Sequence, residues 1–257
     1  MSAARPAVIQ LKSPREIDAM ARGGRILART LRVLREAVRP GVTTGELDQI
    51  AEDFIRSHEG AVPAFKGLYG FPGSVCISVN HEIVHGIPSR KRVLAEGDLV
   101  SLDFGVKFEG MFTDSAETVA VGDISTGDRR LLDVTRASLD AGIEAAQAGN
   151  HIGDIGHAVQ TVVERAGFSV VRELVGHGVG HGPHEDPQVP NHGKPKRGTK
   201  LQPGLTIAIE PMVNAGLPGT RTLADKWTVV TIDGKKSAHF EHTVAITENG
   251  PRVLTVE

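Results

Sequence analysis

Cysteine is almost missing from this chain of 257 residues: Cys76 stands alone. An internal disulfide is thereby excluded, and the composition fits a reducing compartment. An excess of either charge is missing too, the formal net charge being −2. That balance argues against a broad basic surface for nucleic acid and against an acidic tail for a basic partner, so any electrostatics that matter are local. No stretch approaches the roughly 18 consecutive apolar residues of a membrane span. Met1 to Leu11 does not lead from a basic segment into an apolar run, so a cytoplasmic location is expected. What is present is an ordinary globular composition, 40% apolar, enough to bury a large core.

The pattern of elements is stated twice. Ser13-Pro14-Arg15-Glu16 reads as a capping box with proline at the first helical position. Ile17, Met20, Leu27, Leu31, Leu34 and Val38 follow at helical spacing until Pro40-Gly41. Thr43-Thr44-Gly45-Glu46 opens a second helix, with Leu47, Ile50, Ala51, Phe54 and Ile55 on one face. From Val75 to Val121 the texture is that of strands. The second half repeats this order, with helices near Asp128 to Gln147 and Asp154 to Ala166. Strands are then expected at Leu205 to Glu210, Thr228 to Ile232 and Phe240 to Thr247. Gly41, Gly45, Glu46 and Leu47 recur at a constant step as Gly149, Gly153, Asp154 and Ile155, and the run Gly97 to Asp103 is matched by Gly204 to Glu210. A strand ending in a carboxylate thus occurs in each half. If a pseudo-two-fold axis relates the halves, Asp103 and Glu210 meet near it, and such a pair repels unless protonated or bridged by cations.

Asp103 and Asp114 flank what reads as a hairpin. A two-residue loop at Phe108-Glu109 sets them directly opposite on one face, where like charges are unfavourable and a divalent ion removes the conflict. Glu210 ends an alternating strand stopped by Pro211. Glu241 lies in another, with Phe240, Val244 and Ile246 on the core face and the turn signal Asp233-Gly234 leading into it as a hairpin. The densest signal is Val175-Gly-His-Gly-Val-Gly-His-Gly-Pro-His184-Glu185. Its alternating glycines forbid a regular helix, so His177 and His181 are not a helical metal pair. The backbone bends around something instead, and a histidine there supplies a neutral nitrogen ligand or a donor near neutral pH. His192 and the lysines from Lys194 to Lys200 read as a solvated loop.

Asp103, Asp114, His177, Glu210 and Glu241 form an oxygen-rich set without thiolate. The four negative charges match two divalent cations, with Mn, Fe, Co or Zn suiting the donors and a bridging hydroxide fitting between them. Two such ions activate water and polarise a carbonyl, the logic of metal-assisted hydrolysis. Ser101 and Ser115 lack a nucleophile elbow, and Cys76 reads as a buried structural thiol.

With these residues the chain resembles the type I methionine aminopeptidases over Ser13 to Val253. The match rests on Cys76-Ile-Ser-Val-Asn80, His85-Gly-Ile-Pro88, Asp103, Asp114, Gly176-His-Gly178, Ile209-Glu-Pro-Met212 and Glu241-His-Thr243. The resemblance implies an α+β pita-bread fold, two pseudo-two-fold-related halves around a curved antiparallel sheet. It implies a single catalytic domain over 13–257, halves of roughly 13–122 and 123–257, and an N-terminal arm at 1–12. It assigns Asp103 and Asp114 to one ion and His177 and Glu210 to the other, with Asp114 and Glu241 bridging. His85 and His184 contact the substrate, Glu210 accepts a proton from the attacking water, and Phe65, Leu68, Phe71, Cys76 and Trp227 line the methionine pocket. The implied reaction removes an N-terminal methionine ahead of a small second residue. The implied partners are N-terminal Met peptides and nascent chains near the ribosome, with the enzyme a monomer and neither DNA nor a membrane involved. The span from His184 to Glu210 is too short for the helical insertion of the type II enzymes, and the start does not carry the zinc-binding extension of eukaryotic relatives. Pro183, Leu68 and Phe71 depart from residues common in the family. Two other readings compete: a proline-specific (Xaa-Pro) peptidase of the same fold, which would share all five ligands, and a non-catalytic, metal-free binding protein on that scaffold, which would be expected to lose ligands.

Overall fold

A computed structural model describes residues 9–257. Helix α1 (Pro14–Ala37) begins as its sequence dictates: Ser13 Oγ accepts from Glu16 N while the Glu16 carboxylate accepts from Ser13 N at 2.7 Å. Helix α2 (Thr44–Arg56) opens with the same reciprocal cap between Thr43 and Glu46. Strands β1 (Val62–Pro63), β2 (Cys76–Val79), β3 (Glu82–Val84), β4 (Leu99–Phe108) and β5 (Met111–Ala120) complete the first half. Helices α3 (Thr126–Ala145) and α4 (Ile152–Arg165) open the second. There follow β6 (Ser169–Val170), β7 (Gly176–Gly178), β8 (Glu185–Val189), β9 (Thr206–Ile209), β10 (Met212–Asn214), β11 (Thr220–Thr222), β12 (Val229–Thr231), β13 (Ser237–His239), β14 (Glu241–Thr247) and β15 (Gly250–Val253). Nine strands form one antiparallel sheet in the order β1-β4-β5-β14-β9-β7-β8, with β2 added on β4 and β15 on β14.

Period-two alternation divides each long strand between two layers. Val100, Leu102, Phe104 and Val106 of β4 join Leu27, Leu34, Leu47 and Ile55 in one core. Ile207 and Ile209 of β9, with Phe240, Val244 and Ile246, join Leu131, Ile155 and Val159 in a second. The alternate positions, Asp103, Ala208, Glu241 and Thr243, face the other way. The helices therefore back the sheet, and its opposite face is left for chemistry.

The halves are built alike in detail. Gly41 and Gly149 take φ of 89° and 92° and donate to Leu94 O and Leu201 O, each at 2.9 Å. Thr43 bridges Val93 where His151 bridges Lys200. Gly45 N meets Ser89 O and Gly153 N meets Arg197 O. A side chain at either glycine would strike backbone, at 2.7 Å from Arg90 N or 2.3 Å from Lys194 O, which is why glycine recurs. The loop carrying His192 and Lys194 thus supplies the carbonyl ledge on which α4 starts.

Two turns differ from the sequence expectation. The β4–β5 loop is Glu109-Gly110, one residue later than expected, with φ of 49° and 82°. A two-residue turn with both φ positive favours glycine at its second position, where Gly110 stands; a loop at Phe108-Glu109 would have put Phe108 at the first position and Glu109 at the second. Asp103 consequently pairs with Ala116, and Gly105 with Asp114. The pairing moves by an even number of residues, so both aspartates keep one face but are diagonal neighbours. Asp233-Gly234 is a turn but not a hairpin. The strands it joins, β12 and β13, pair in different sheets, and the Asp233 carboxylate instead accepts from Leu217 N and Lys235 N.

Of the expected N-terminal arm, residues 1–8 lie outside the described residues. Lys12 is buried, donates to Gln10 O and pairs with Glu185, whose other oxygen accepts from Gly182 N at 2.7 Å. Lys12→Met would leave the Glu185 carboxylate largely buried and unpaired, at a cost of about 3 kcal/mol. The expected result is a lower urea midpoint with an unchanged slope; an unchanged midpoint would show that this pair does not hold the segment down.

Candidate metal centre

Strand register assembles the site. Cys76 pairs with Asp103, Asp103 with Ala116, and Ala116 with Glu241. The β14–β9 register, His242 with Ile209, brings Glu210 opposite Glu241 one position further on. A single row thus crosses the sheet as Cys76, Asp103, Ala116, Glu241 and Glu210, with Asp114 two residues from Ala116 on the same strand. The alanine at its centre keeps the space between the carboxylates open. Residue 177 falls on this face from β7, whose glycines let it lie flat: a Cβ at Gly176 would sit 2.3 Å from Ala208 O, and one at Gly178 2.3 Å from Asp186 O.

The structure therefore brings the five candidate ligands together. Ligand atoms of Asp103, Asp114 and Glu241 lie within 4.8 Å of one another, as do those of His177, Glu210 and Glu241. A third such group joins Asp114, His177 and His184. Asp114 Oδ1 and Glu241 Oε1 are buried without a hydrogen-bond partner. An ionised carboxylate only accepts, so buried oxygens with no donor call for a cation. Burial, then the charge of Asp114, pushes Asp103 well above the carboxylate range. Burial raises Asp114 to about 7. Burial followed by the neighbouring carboxylates drives Glu210 and Glu241 up as well. Four acids so placed, Asp103, Asp114 and Glu241 buried and Glu210 half-buried, are poor structural choices, and a divalent-ion site of oxygen donors plus one imidazole fits them.

His177 completes the donor set. Its Nδ1–H donates to Gly178 O at 2.9 Å, because a carbonyl can only accept, and this leaves the Nε2 lone pair facing Glu210 Oε1 at 3.6 Å and Asp114 Oδ2 at 3.9 Å. Burial, then the nearby charge of His184, lowers its pKa to about 4, so the ring is neutral. His181 turns away and donates to Glu16 on α1.

Beside the row opens a pocket of about 280 Å³. All five expected wall residues, Phe65, Leu68, Phe71, Cys76 and Trp227, line it. Phe71 and Trp227 meet edge to face at 5.1 Å. His85 and His184 also line it, His184 with its ring 4.5 Å from that of His177. His85 holds a positive φ of 60°, a strained conformation of the kind found where side-chain direction matters more than backbone comfort. Ser101 and Ser115 are spent within the sheet, on Thr118 Oγ1 and Glu241 O. Cys76 is buried, and burial raises its thiol pKa well above the usual value, so it forms wall and not nucleophile.

Several residues at the site carry no sequence signal of their own. Tyr69, exposed and at φ 51°, stacks on His184 at 5.9 Å. Val84 and Leu174 complete the apolar wall. Asn191 donates to Glu210 O, and His239 lies 3.7 Å from Glu210 Oε2. They come from short loops and strands far apart in the chain, and only the fold collects them.

Comparison with known proteins agrees with this geometry. The profile of metallopeptidase family M24 matches residues 18–248. Methionine aminopeptidase 1 of Bacillus subtilis is 56% identical over 248 residues, covering 96% of this chain and 99% of its own. The crystal structure of a methionine aminopeptidase from Thermotoga maritima superposes with a TM-score of 0.95 at 43% identity, over 97% of this chain and all of that one. A prolidase from Pyrococcus furiosus, 23% identical, matches 96% of this chain and 65% of its own with a TM-score of 0.77, which shows a shared fold. The architecture is accordingly the pita-bread one. Its two αβ halves close around a metal-binding sheet face, and the chain belongs to metallopeptidase family M24, among the type I methionine aminopeptidases.

Proposed function

We propose that the carboxylate row and the pocket beside it divide the work of removing an N-terminal methionine from peptides and nascent proteins whose second residue is small. The observation that carries this is one apolar pocket opening onto three buried acids, the half-buried Glu210 and a neutral imidazole. Asp103 and Asp114 would hold one divalent ion and His177 and Glu210 a second, with Asp114 and Glu241 contributing to both. Mn, Fe, Co and Zn all suit the donors. Bound there, such ions supply Lewis acidity toward the scissile carbonyl and lower the pKa of a nearby water.

The chain's own groups do the rest. Phe65, Leu68, Phe71, Cys76 and Trp227 desolvate an unbranched side chain and fix its depth. His85 and His184 contact the substrate, His184 near the carbonyl. Glu210 accepts the proton of the attacking water. We place all of this in one domain, residues 13–257, of two related halves, acting as a cytoplasmic monomer near the ribosome. No helix among the described residues is long and apolar enough to cross a membrane.

Release of Met from Met-Ala-Ser, but not of Xaa from Xaa-Pro peptides, is expected when Mn²⁺ or Co²⁺ is supplied to chelator-treated protein. No Met release with any divalent metal would sink the proposal. Trp227→Leu thins the pocket wall and is expected to lower kcat/KM on this peptide by about tenfold, the scale of one imperfectly filled apolar contact. An unchanged kcat/KM would place the methionine side chain elsewhere.

A further inference from the structure

The Glu210 carboxylate lies between two imidazoles. Its Oε1 faces His177 Nε2 at 3.6 Å and its Oε2 faces His239 Nε2 at 3.7 Å. His177 is accounted for by its lone pair, but His239 has no place in the reading above. It is 1% exposed, and neither ring nitrogen has a hydrogen-bond partner. Its backbone is held independently of the ring: His239 N donates to Thr118 Oγ1 at 2.8 Å, and the same hydroxyl, at 2.9 Å, donates to His239 O. The ring is therefore carried on a fixed strand, buried, with one N–H to place. A buried donor without an acceptor is unfavourable. Glu210 Oε2 is the acidic oxygen in front of it, and closing the gap to ordinary hydrogen-bond length takes about one ångström of side-chain rotation.

We propose that His239 is a positioning residue for Glu210: its Nε2–H donates to Oε2, which fixes the carboxylate plane and leaves Oε1 turned toward the His177 side of the site. This rests on the reading of Glu210 as a metal ligand. Groups that orient a ligand from behind typically change metal affinity or activity by about 10- to 100-fold when removed. Phe240, the next residue, sits in the core behind the sheet, so the strand itself survives changes at position 239.

The test compares Mn²⁺ dissociation constants, read by titration of the free ion, together with kcat and KM on Met-Ala-Ser. His239→Leu fills the volume without a donor and is expected to weaken Mn²⁺ about tenfold or more and to lower kcat with little change in KM. His239→Gln, which restores an N–H, is expected to recover most of both. In a Glu210→Ala background, His239→Leu should have no further effect on Mn²⁺, because the two act as one unit. Wild-type affinity in His239→Leu, equal loss in both backgrounds, or no recovery with Gln would overturn the proposal. Glu210→Ala binding Mn²⁺ as tightly as the wild type would instead overturn the role of Glu210, and the proposal with it.

Discussion

Asp114→Asn is expected to lower turnover by about a thousandfold or more, since on the proposed assignment it removes a carboxylate oxygen that would serve both ions. The same change should make the metal-free protein more stable. Asp114 is raised by burial from 3.8 to about 7, so its folded form holds a proton that the unfolded chain releases. The sign follows: this group favours folding below about pH 4 and loses that contribution as pH rises through 7. At pH 8 the wild type carries a buried carboxylate among three others, and the amide relieves it. A gain on the order of 2 kcal/mol is expected at pH 8, shrinking toward pH 5. His177, His239 and His242, whose pKa values are lowered chiefly by burial, contribute in the opposite sense as pH falls through 6.5. His177, 3.9 Å from Asp114 Oδ2, loses that neighbour in the variant, whereas His239 and His242 are common to both proteins and cancel in the difference. Chemical denaturation of both in EDTA at pH 5 and pH 8 measures it. A variant less stable than wild type at both pH values would mean that Asp114 is satisfied within the protein and not waiting for a cation.

The second large effect is that of the metal on stability. A ligand that binds only the folded state adds about 2.7 kcal/mol when present at a hundred times its dissociation constant, and two ions add nearly twice that. Metal binding requires the carboxylates to be deprotonated and His177 neutral, so the Mn²⁺-induced rise in Tm should be greater at pH 8 than at pH 6. Asp114→Asn should lose most of this rise, while Lys12→Met, which removes none of the five ligands, should keep it. An equal rise in wild type and Asp114→Asn would locate the metal elsewhere.

How far the sequence disclosed this molecule depends on the range of the interaction. Helix starts were legible because Ser13 with Glu16 and Thr43 with Glu46 form closed local hydrogen-bond circuits. The carboxylates were legible because each ends or interrupts an alternating strand. The internal match of Asp103 with Glu210 also foretold that β4 and β9 occupy corresponding places on either side of the central β5–β14 pair. The hairpin register was not legible, since it turned on whether Phe108 or Gly110 entered the loop, a choice made by φ and not by hydrophobicity. Asp233-Gly234 has the composition of a hairpin turn, yet the strands it joins find partners across the molecule. His239 and Asn191 were invisible for the same reason: nothing local marks a buried residue whose partner is distant in sequence.

The account stands or falls on the number of ions held by the row. Equilibrium dialysis of chelator-treated protein against Mn²⁺, with bound metal counted per chain, tests this directly. Two ions for the wild type, and one or none for Asp114→Asn and for Glu241→Gln, are the expected results. A wild type that binds no Mn²⁺, or variants that retain both ions, would contradict it.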